Sequence, residues 1–444
     1  MSQAKGERGK SFHQDNEATH MAVLMALPLL LIVTGLTVGL TMESVGDFLT
    51  GLKGILKSPS ILLTDYLAVG GLGATLLNAG TCGLIGCLIM IVLRIEPSGP
   101  FIAAIYTVIG FAFFGKNLFN IWPIFIGVML YARVEGTPLK NYALIALFGT
   151  TLAPLVSFIT FGSWLTLSVG APLGIALGVG AGFVLPPLAS HMLQFHNGYN
   201  IYNIGFTGGM LGSFFIAILR GFRFDIEPER LLNDEFSEWL QICFGAVFVA
   251  FIAFGVWLSR SDMPALRLAL ANIYASSGRL VSDFTSIGNH AAAFVNMGIM
   301  GLAATAFTLL LGGAFDGPVI GGVLTMVGFS AFGKHLRNCL PILFGVFVAS
   351  LFKSWDGGTT ELVMSGLFGA TLAPIAGHYG IVAGIVAGFC HLSVVMNVAV
   401  LHGGVNLYNN GFAGGFVAAF LTPIIDAFKK RQSAPMRSPS QPHG

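Results

Sequence analysis

Two lysines sit where an apolar chain has least use for them. Lys116, in FFGKNLFNIWP, and Lys334, in AFGKHLRNCLP, stand 218 positions apart in the middle of segments, Gly99–Leu130 and Gly317–Val348, that match at 15 of 32 positions. The matches that apolar composition cannot supply are polar or conformational: Gly115-Lys116 with Gly333-Lys334, Asn120 with Asn338, and Pro123 with Pro341. A cation in such surroundings costs about 3 kcal/mol even on insertion scales, so it faces a cavity or a partner. One chemistry is attraction of an anionic solute, helped by the positive N-terminal end of a half-helix. The other is a structural ion pair, for which Asp65 and Asp283, again 218 apart, are the repeated acidic candidates.

The copies also disagree in an informative way. Asn117, Phe119 and Trp122 become His335, Arg337 and Leu340, which adds an imidazole and a guanidinium to one side of a central site. Alternatively, Arg337 snorkels to the membrane surface. A second repeated element, HxGxNxYNxGF, sets His196, Asn200, Tyr202, Asn203 and Gly205 against His402, Asn406, Tyr408, Asn409 and Gly411. Asparagine beside glycine disfavours continuous helix and suits an unwound segment whose amides both donate and accept. Such amides either replace a solute's hydration shell or hold the bundle together, and Asn78 and Asn296 invite the same two readings. The candidate binding set is therefore Lys116, Asn117, Asn120, Lys334, His335, Arg337, Asn338, Asn200, Asn203, Asn406 and Asn409. His290, His378 and His391 lack counterparts and read as structural.

Other chemistries find no residues to carry them. There is no P-loop spacing, no HExxH and no acidic cluster along the apolar segments, so no enzyme, cofactor or metal centre is expected. The five cysteines all fall in apolar stretches, where they read as small hydrophobes rather than disulfide or zinc partners.

The elements that must position these residues are membrane helices. Only 9% of the 444 residues are charged and 55% are hydrophobic, against about 25% charged in soluble domains. The fold class expected is all-α, a polytopic transmembrane bundle of two inverted repeats with re-entrant or broken helices. Repeat one covers 21–220 and repeat two 239–425. A polar N-terminal tail (1–20), a linker (221–238) and a disordered Pro- and Ser-rich tail (426–444) complete the chain. The run Met21–Leu40 is too long, and lacks the cleavage site, for a signal peptide. Each repeat offers seven apolar stretches. The third and fourth of repeat one, 100–114 and 121–132, fall short of the roughly 20 residues a span requires and flank the lysine, which points to a re-entrant hairpin or a pair of broken helices inside the protein. An extra stretch near 158–171 in repeat one reads as a longer loop.

Parity supplies the inversion. Whether the short pair makes two spans or none, each repeat crosses an odd number of times, so the second begins on the opposite side. With the N-terminus cytoplasmic, 13 basic residues fall in inside loops and 6 in outside loops, which places both termini in the cytoplasm of a cell-membrane protein. The expected partners are a small solute and the bilayer, with homo-oligomer formation open and nucleic acid excluded by the small net charge of +2.

The repeated pair GPxIxxxxTxxGFxxFGKxLxN and NxYNxGF resembles a bacterial family of multi-pass membrane proteins described as a domain of unknown function, over nearly the whole chain. That resemblance implies no activity. A weaker likeness, confined to Gly198-Tyr199-Asn200, is to urea transporters, which are also duplicated, inverted and rich in re-entrant elements. Here the second copy reads Gly404-Val405-Asn406 and lysines occupy the hairpins, a departure from a urea pore. Three functions are thus in play. The first is a transporter or channel-like facilitator for a small, polar, anionic solute. The others are a channel for a neutral amide and a non-transporting membrane enzyme or scaffold.

Overall fold

In repeat one, some helix ends carry a sequence mark, Ser44 and Asp65 as caps, Gly99-Pro100 at one start and Gly136 at one end, while the helix Leu167–Phe195 runs through Pro172, Pro186 and Pro187. The computed structural model describes residues 2–224, 230–352 and 358–433. Its first half comprises α1 (Ser2–Thr41), α2 (Val45–Lys57), α3 (Tyr66–Val92), α4 (Gly99–Phe111), α5 (Ile121–Glu135), α6 (Ala143–Phe161), α7 (Leu167–Phe195) and α8 (Asn203–Gly221). The second half repeats the series as α9 (Ser237–Leu258), α10 (Met263–Ala275), α11 (His290–Leu310), α12 (Gly317–Phe329), α13 (Leu336–Ser350), α14 (Thr359–Tyr379), α15 (Ile381–Leu401) and α16 (Asn409–Ser433). Ten of these helices are long and apolar enough to cross a membrane, five in each half. The protein is an all-helical polytopic bundle.

Each break has a local cause. Asp65 caps α3 by accepting from the Leu67 N–H, Asp316 caps α12 through Val319 N–H, and Asp262 caps α10 through Ala265 N–H. Pro100 and Pro318 occupy the first turns of α4 and α12, where a missing N–H costs nothing. Inside α6 and α14, a 3-10 turn (Thr150–Leu152, Ala370–Leu372) precedes Pro154 and Pro374, so the repeated LFGxTLAP motif interrupts each helix at the same point. The short helices α4 and α5 have 13 and 15 residues, about 20 Å each, and are joined through a connection that is buried for most of its length. The break inside the protein that the sequence predicts between two short helices is present.

Several expectations shift. The segments taken as loops after the first apolar stretch of each repeat contain amphipathic helices. In α2, Phe48, Gly51 and Ile55 are buried while Lys53 and Lys57 stay toward solvent. The supposed loop near 158–171 is mostly helix: α7 has 29 residues against 21 in α15, and only 162–166 separates α6 from α7. The N-terminal tail is helical from Ser2, and α16 continues to Ser433, so disorder does not begin at 426. The tail beyond 433, the linker residues 225–229 and Lys353 lie outside the described residues.

Equivalent helices meet head to tail. A Cβ on Gly110 would lie 3.0 Å from Gly321 Cα, and one on Gly328 would lie 3.1 Å from Ala103 Cα. The residue numbers rise in one helix as they fall in the other, so α4 and α12 pack antiparallel about the centre. Equivalent elements also occupy opposite ends: Thr64, just after α2, pairs with linker residue Leu231, whereas Arg279, just after α10, donates to Asn197 O.

Candidate functional site

The two hairpin tips have the same construction. After α4 ends, the Lys116 N–H returns to Phe111 O at 2.9 Å, and the Lys334 N–H returns to Phe329 O at 3.0 Å. Breaking the helix leaves carbonyls bare, and one buried asparagine per repeat takes two of them. Asn78 Nδ2 donates to Ala112 O and Lys116 O at 2.8 and 2.9 Å, and Asn296 Nδ2 donates to Ser330 O and Lys334 O at 2.7 and 2.8 Å. Gly115 and Gly333 adopt φ of +149° and +117°, which side chains resist, and a Cβ on Gly115 would strike Leu407 at 2.4 Å.

Both lysine side chains are wholly buried, and each reaches a tyrosine of the other repeat. Lys116 Nζ donates to the Tyr408 hydroxyl at 2.9 Å and lies 4.9 and 5.3 Å from the Tyr408 and Phe111 ring centres. Lys334 Nζ donates to the Tyr202 hydroxyl and lies 4.6 and 5.6 Å from the Tyr202 and Phe329 rings. Phe368 joins the two nests, with its ring centre 5.3 Å from Phe111 and 6.5 Å from Tyr202. Neither lysine forms an ion pair among the described residues, where the one bridge is Arg230–Glu361.

The ion-pair alternative therefore fails for Asp65 and Asp283. Asp65 caps the long helix α3 and Asp283 the short turn Phe284–Ile287. The residue after each donates into a hairpin connection, Tyr66 N–H to Phe113 O at 2.8 Å and Phe284 N–H to Ala331 O at 3.0 Å, yet neither carboxylate meets a lysine among the described residues. The Asp65 carboxylate accepts from the N–H groups of Leu67, Asn233 and Gly317, at 2.8, 3.1 and 3.0 Å. Asp283 accepts from the Thr285 N–H, the Thr285 hydroxyl and the Gly99 N–H at 2.9, 2.7 and 3.1 Å. Each carboxylate thus caps its own repeat and grips the hairpin of the other.

Most of the asparagines expected to line a site are spent on the backbone. Asn117 accepts from Phe119 and Asn120 N–H and donates to Ile55 O, and Asn120 donates to Gly115 O and the Ser157 hydroxyl. Asn338 accepts from His335 N–H and donates to Gly333 O, while His335 Nε2 meets Ser276 O at 2.9 Å. These groups tie each hairpin tip to an amphipathic helix. Arg337 is exposed, on the outer face of α13, and does not join the lysines. The site is consequently less basic and more symmetric than the divergence at 335 and 337 suggested.

Asn200 and Asn406 stitch the halves together with two threonines that the sequence reading passed over. Thr371 Oγ1 donates to Asn200 Oδ1 and accepts from Tyr202 N–H at 3.0 Å; Thr151 Oγ1 donates to Asn406 Oδ1 at 2.7 Å and accepts from Tyr408 N–H at 3.0 Å. The amide ends donate to Gly411 O and Gly205 O. The signal was present: these threonines are the polar constants of LFGTTLAP and LFGATLAP, as Tyr202 and Tyr408 are of the second motif. Thr371→Val leaves buried polar groups short of partners, so a loss of about 1–3 kcal/mol is expected. Thr151→Val should cost a similar amount, and thermal unfolding in one detergent compares them; a neutral result for either would remove the stitch.

Two equivalent cavities lie beside the repeated NxYNxGF segments, and Tyr202 and Tyr408 both line the first. One, of about 240 Å³, is lined by Ile145, Tyr202, Asn203, Leu280, Phe332 and Tyr408 among others. The other, of about 390 Å³, is lined by Leu62, Ser365, Leu407, Asn409, Arg230 and Glu361 among others. Ile145 corresponds to Ser365, Asn203 to Asn409 and Leu280 to Leu62, so the cavities are repeats of one another at opposite ends. The second is more polar, and Arg230 and Glu361 meet at 3.0 Å on its wall. Asn203 and Asn409 line these cavities, yet their amides already serve His196 Nε2 and Ala189 O, and His402 Nε2 and Val395 O.

No curated protein matches this sequence, and no solved structure does. A family described as "Protein of unknown function (DUF1576)" covers residues 44–221 and 265–427, two regions that contain both hairpins, both tyrosines and both threonines. With most of its length so matched, the chain belongs to that family.

Proposed function

We propose that this protein is a transporter or channel-like facilitator for a small polar anion, working at the interface of two inverted repeats in the cell membrane with both termini in the cytoplasm. The observation that carries the reading is the pair of wholly buried lysines, each with a tyrosine hydroxyl and aromatic rings but no carboxylate within ion-pair distance among the described residues. A cation taken out of water costs several kcal/mol, and rings and one hydroxyl return less than that. A site of this kind is completed by an anion that arrives from outside. The antiparallel pairing of α4 with α12 supports inversion, and five candidate spans per half, an odd number, would put equivalent cavities on opposite faces. The neutral-amide channel required the lysines to be cancelled by Asp65 and Asp283, which are engaged in helix caps instead.

The test uses purified protein in nanodiscs, with thermal shift and proteoliposome uptake across small anions, amides and cations. Anions alone should stabilise and cross; equal effects from amides or cations would sink the anionic reading. For topology, reporters inserted at residue 230 and at the C-terminus should report opposite sides, and the same side for both would end the inversion.

A further inference from the structure

Resting on that anionic reading, we infer that the solute is an organic monoanion with an apolar body, a short aliphatic or aromatic carboxylate, its head at Tyr202 and Lys334 and its body in the cavity of about 240 Å³. Two features of the cavity select this class over a small hydrated anion. The first is how few polar groups it offers. Its polar side chains are Ser190, Tyr202, Asn203 and Tyr408; the Ser190 hydroxyl donates to Pro186 O, and the Asn203 amide is committed at both ends, to His196 and to Ala189 O. The Tyr202 hydroxyl, which lines the cavity, accepts one hydrogen bond from Lys334 and keeps its own proton to donate; Lys334 lies behind that hydroxyl, outside the lining, and retains donors beyond the one it uses. A carboxylate is satisfied by such a small, charge-assisted set. Nitrate, bicarbonate or formate would meet the same few donors and lose the same hydration, but bring no apolar body to bury against the walls.

The second feature is the wall itself. Ile145, Ile204, Leu193 and Leu280 face this cavity. At two of these positions repeat two carries Ser365 and Asn410, both lining the other cavity, so the same scaffold accepts polar residues there. The apolar lining is a property of this cavity, not a requirement of the fold. Burying a methylene against it should tighten binding about fourfold, the factor equivalent to roughly 0.8 kcal/mol.

The experiment measures dissociation constants in nanodiscs for acetate through hexanoate, benzoate, hexanamide and nitrate. Affinity should rise about fourfold per methylene, with benzoate at least tenfold tighter than acetate, and Lys334→Met should remove the series. Ile145→Ser, which installs the residue its repeat-two counterpart carries, should reduce the increment to less than twofold without loss of folding. A flat series, with nitrate and acetate equal to hexanoate, overturns the apolar-body inference and leaves the anionic function standing. Hexanamide binding as tightly as hexanoate overturns the anionic function and this inference together. An unchanged increment in Ile145→Ser, or no binding by any member, overturns the placement in this cavity.

Discussion

Lys334→Met and Lys116→Met are expected to fold with melting temperatures equal to or above that of the parent while losing stabilisation by anions. The direction follows from comparing magnitudes. Each ammonium gains one charge-assisted hydrogen bond, about 1.5–3 kcal/mol, and ring contacts worth about 0.5–2 kcal/mol. Against this stands a desolvation cost of several kcal/mol per buried ion. Methionine fills similar space among Phe111, Phe329 and the tyrosine rings, and it brings no charge into them. A lysine kept for architecture would give the opposite outcome, a drop in melting temperature. Thermal unfolding with and without added anion reads both quantities in one titration. Variants that melt several degrees lower, or that keep the anion response, would show that the lysines do not form the anion site.

Asp65→Ala is expected to be the most destabilising single change outside the spans. One wholly buried carboxylate receives three backbone N–H groups, from the start of α3, the start of α12 and the linker. Removing it strands these donors at about 1–3 kcal/mol each, and partial relaxation brings the expected total to about 4 kcal/mol. Asp65→Asn should recover part of that, since its Oδ1 still accepts while its Nδ2 opposes another N–H. Asp283→Ala should cost about half as much, because its carboxyl group is only half-buried and part of its role can pass to water. Folded yield after size exclusion, together with the melting temperature, ranks the three. Equal yields for all would show that the caps do not hold the repeats together.

Much of this architecture was legible in the residues. The duplication, the odd parity of spans and the shortness of the pair flanking each lysine all follow from spacing and composition, because apolar length and helix breakers act locally. The amphipathic helices were missed, since α2 and α10 mix charged and apolar residues that pass for loop when only unbroken apolar runs are sought. The roles of the polar residues were harder to assign. Asn120 and Asn203 look equally able to meet a solute until the carbonyls around them are known, and a broken helix in an apolar interior consumes amides first.

The sequence by itself determined that Lys116 and Lys334 are equivalent, embedded and costly, for that needs only their neighbours along the chain. It also determined that Tyr202, Tyr408, Thr151 and Thr371 recur, though not why. Only the tertiary structure decided that each lysine is met by the tyrosine of the other repeat, that Asp65 and Asp283 cap helices instead of neutralising charge, and that Arg337 points away. The physical reason is that these contacts cross between repeats at separations of 132 to 292 residues. Local pattern fixes which groups must be satisfied. Packing of the two halves fixes which partner satisfies them, and among the described residues it leaves two amines without a counter-charge.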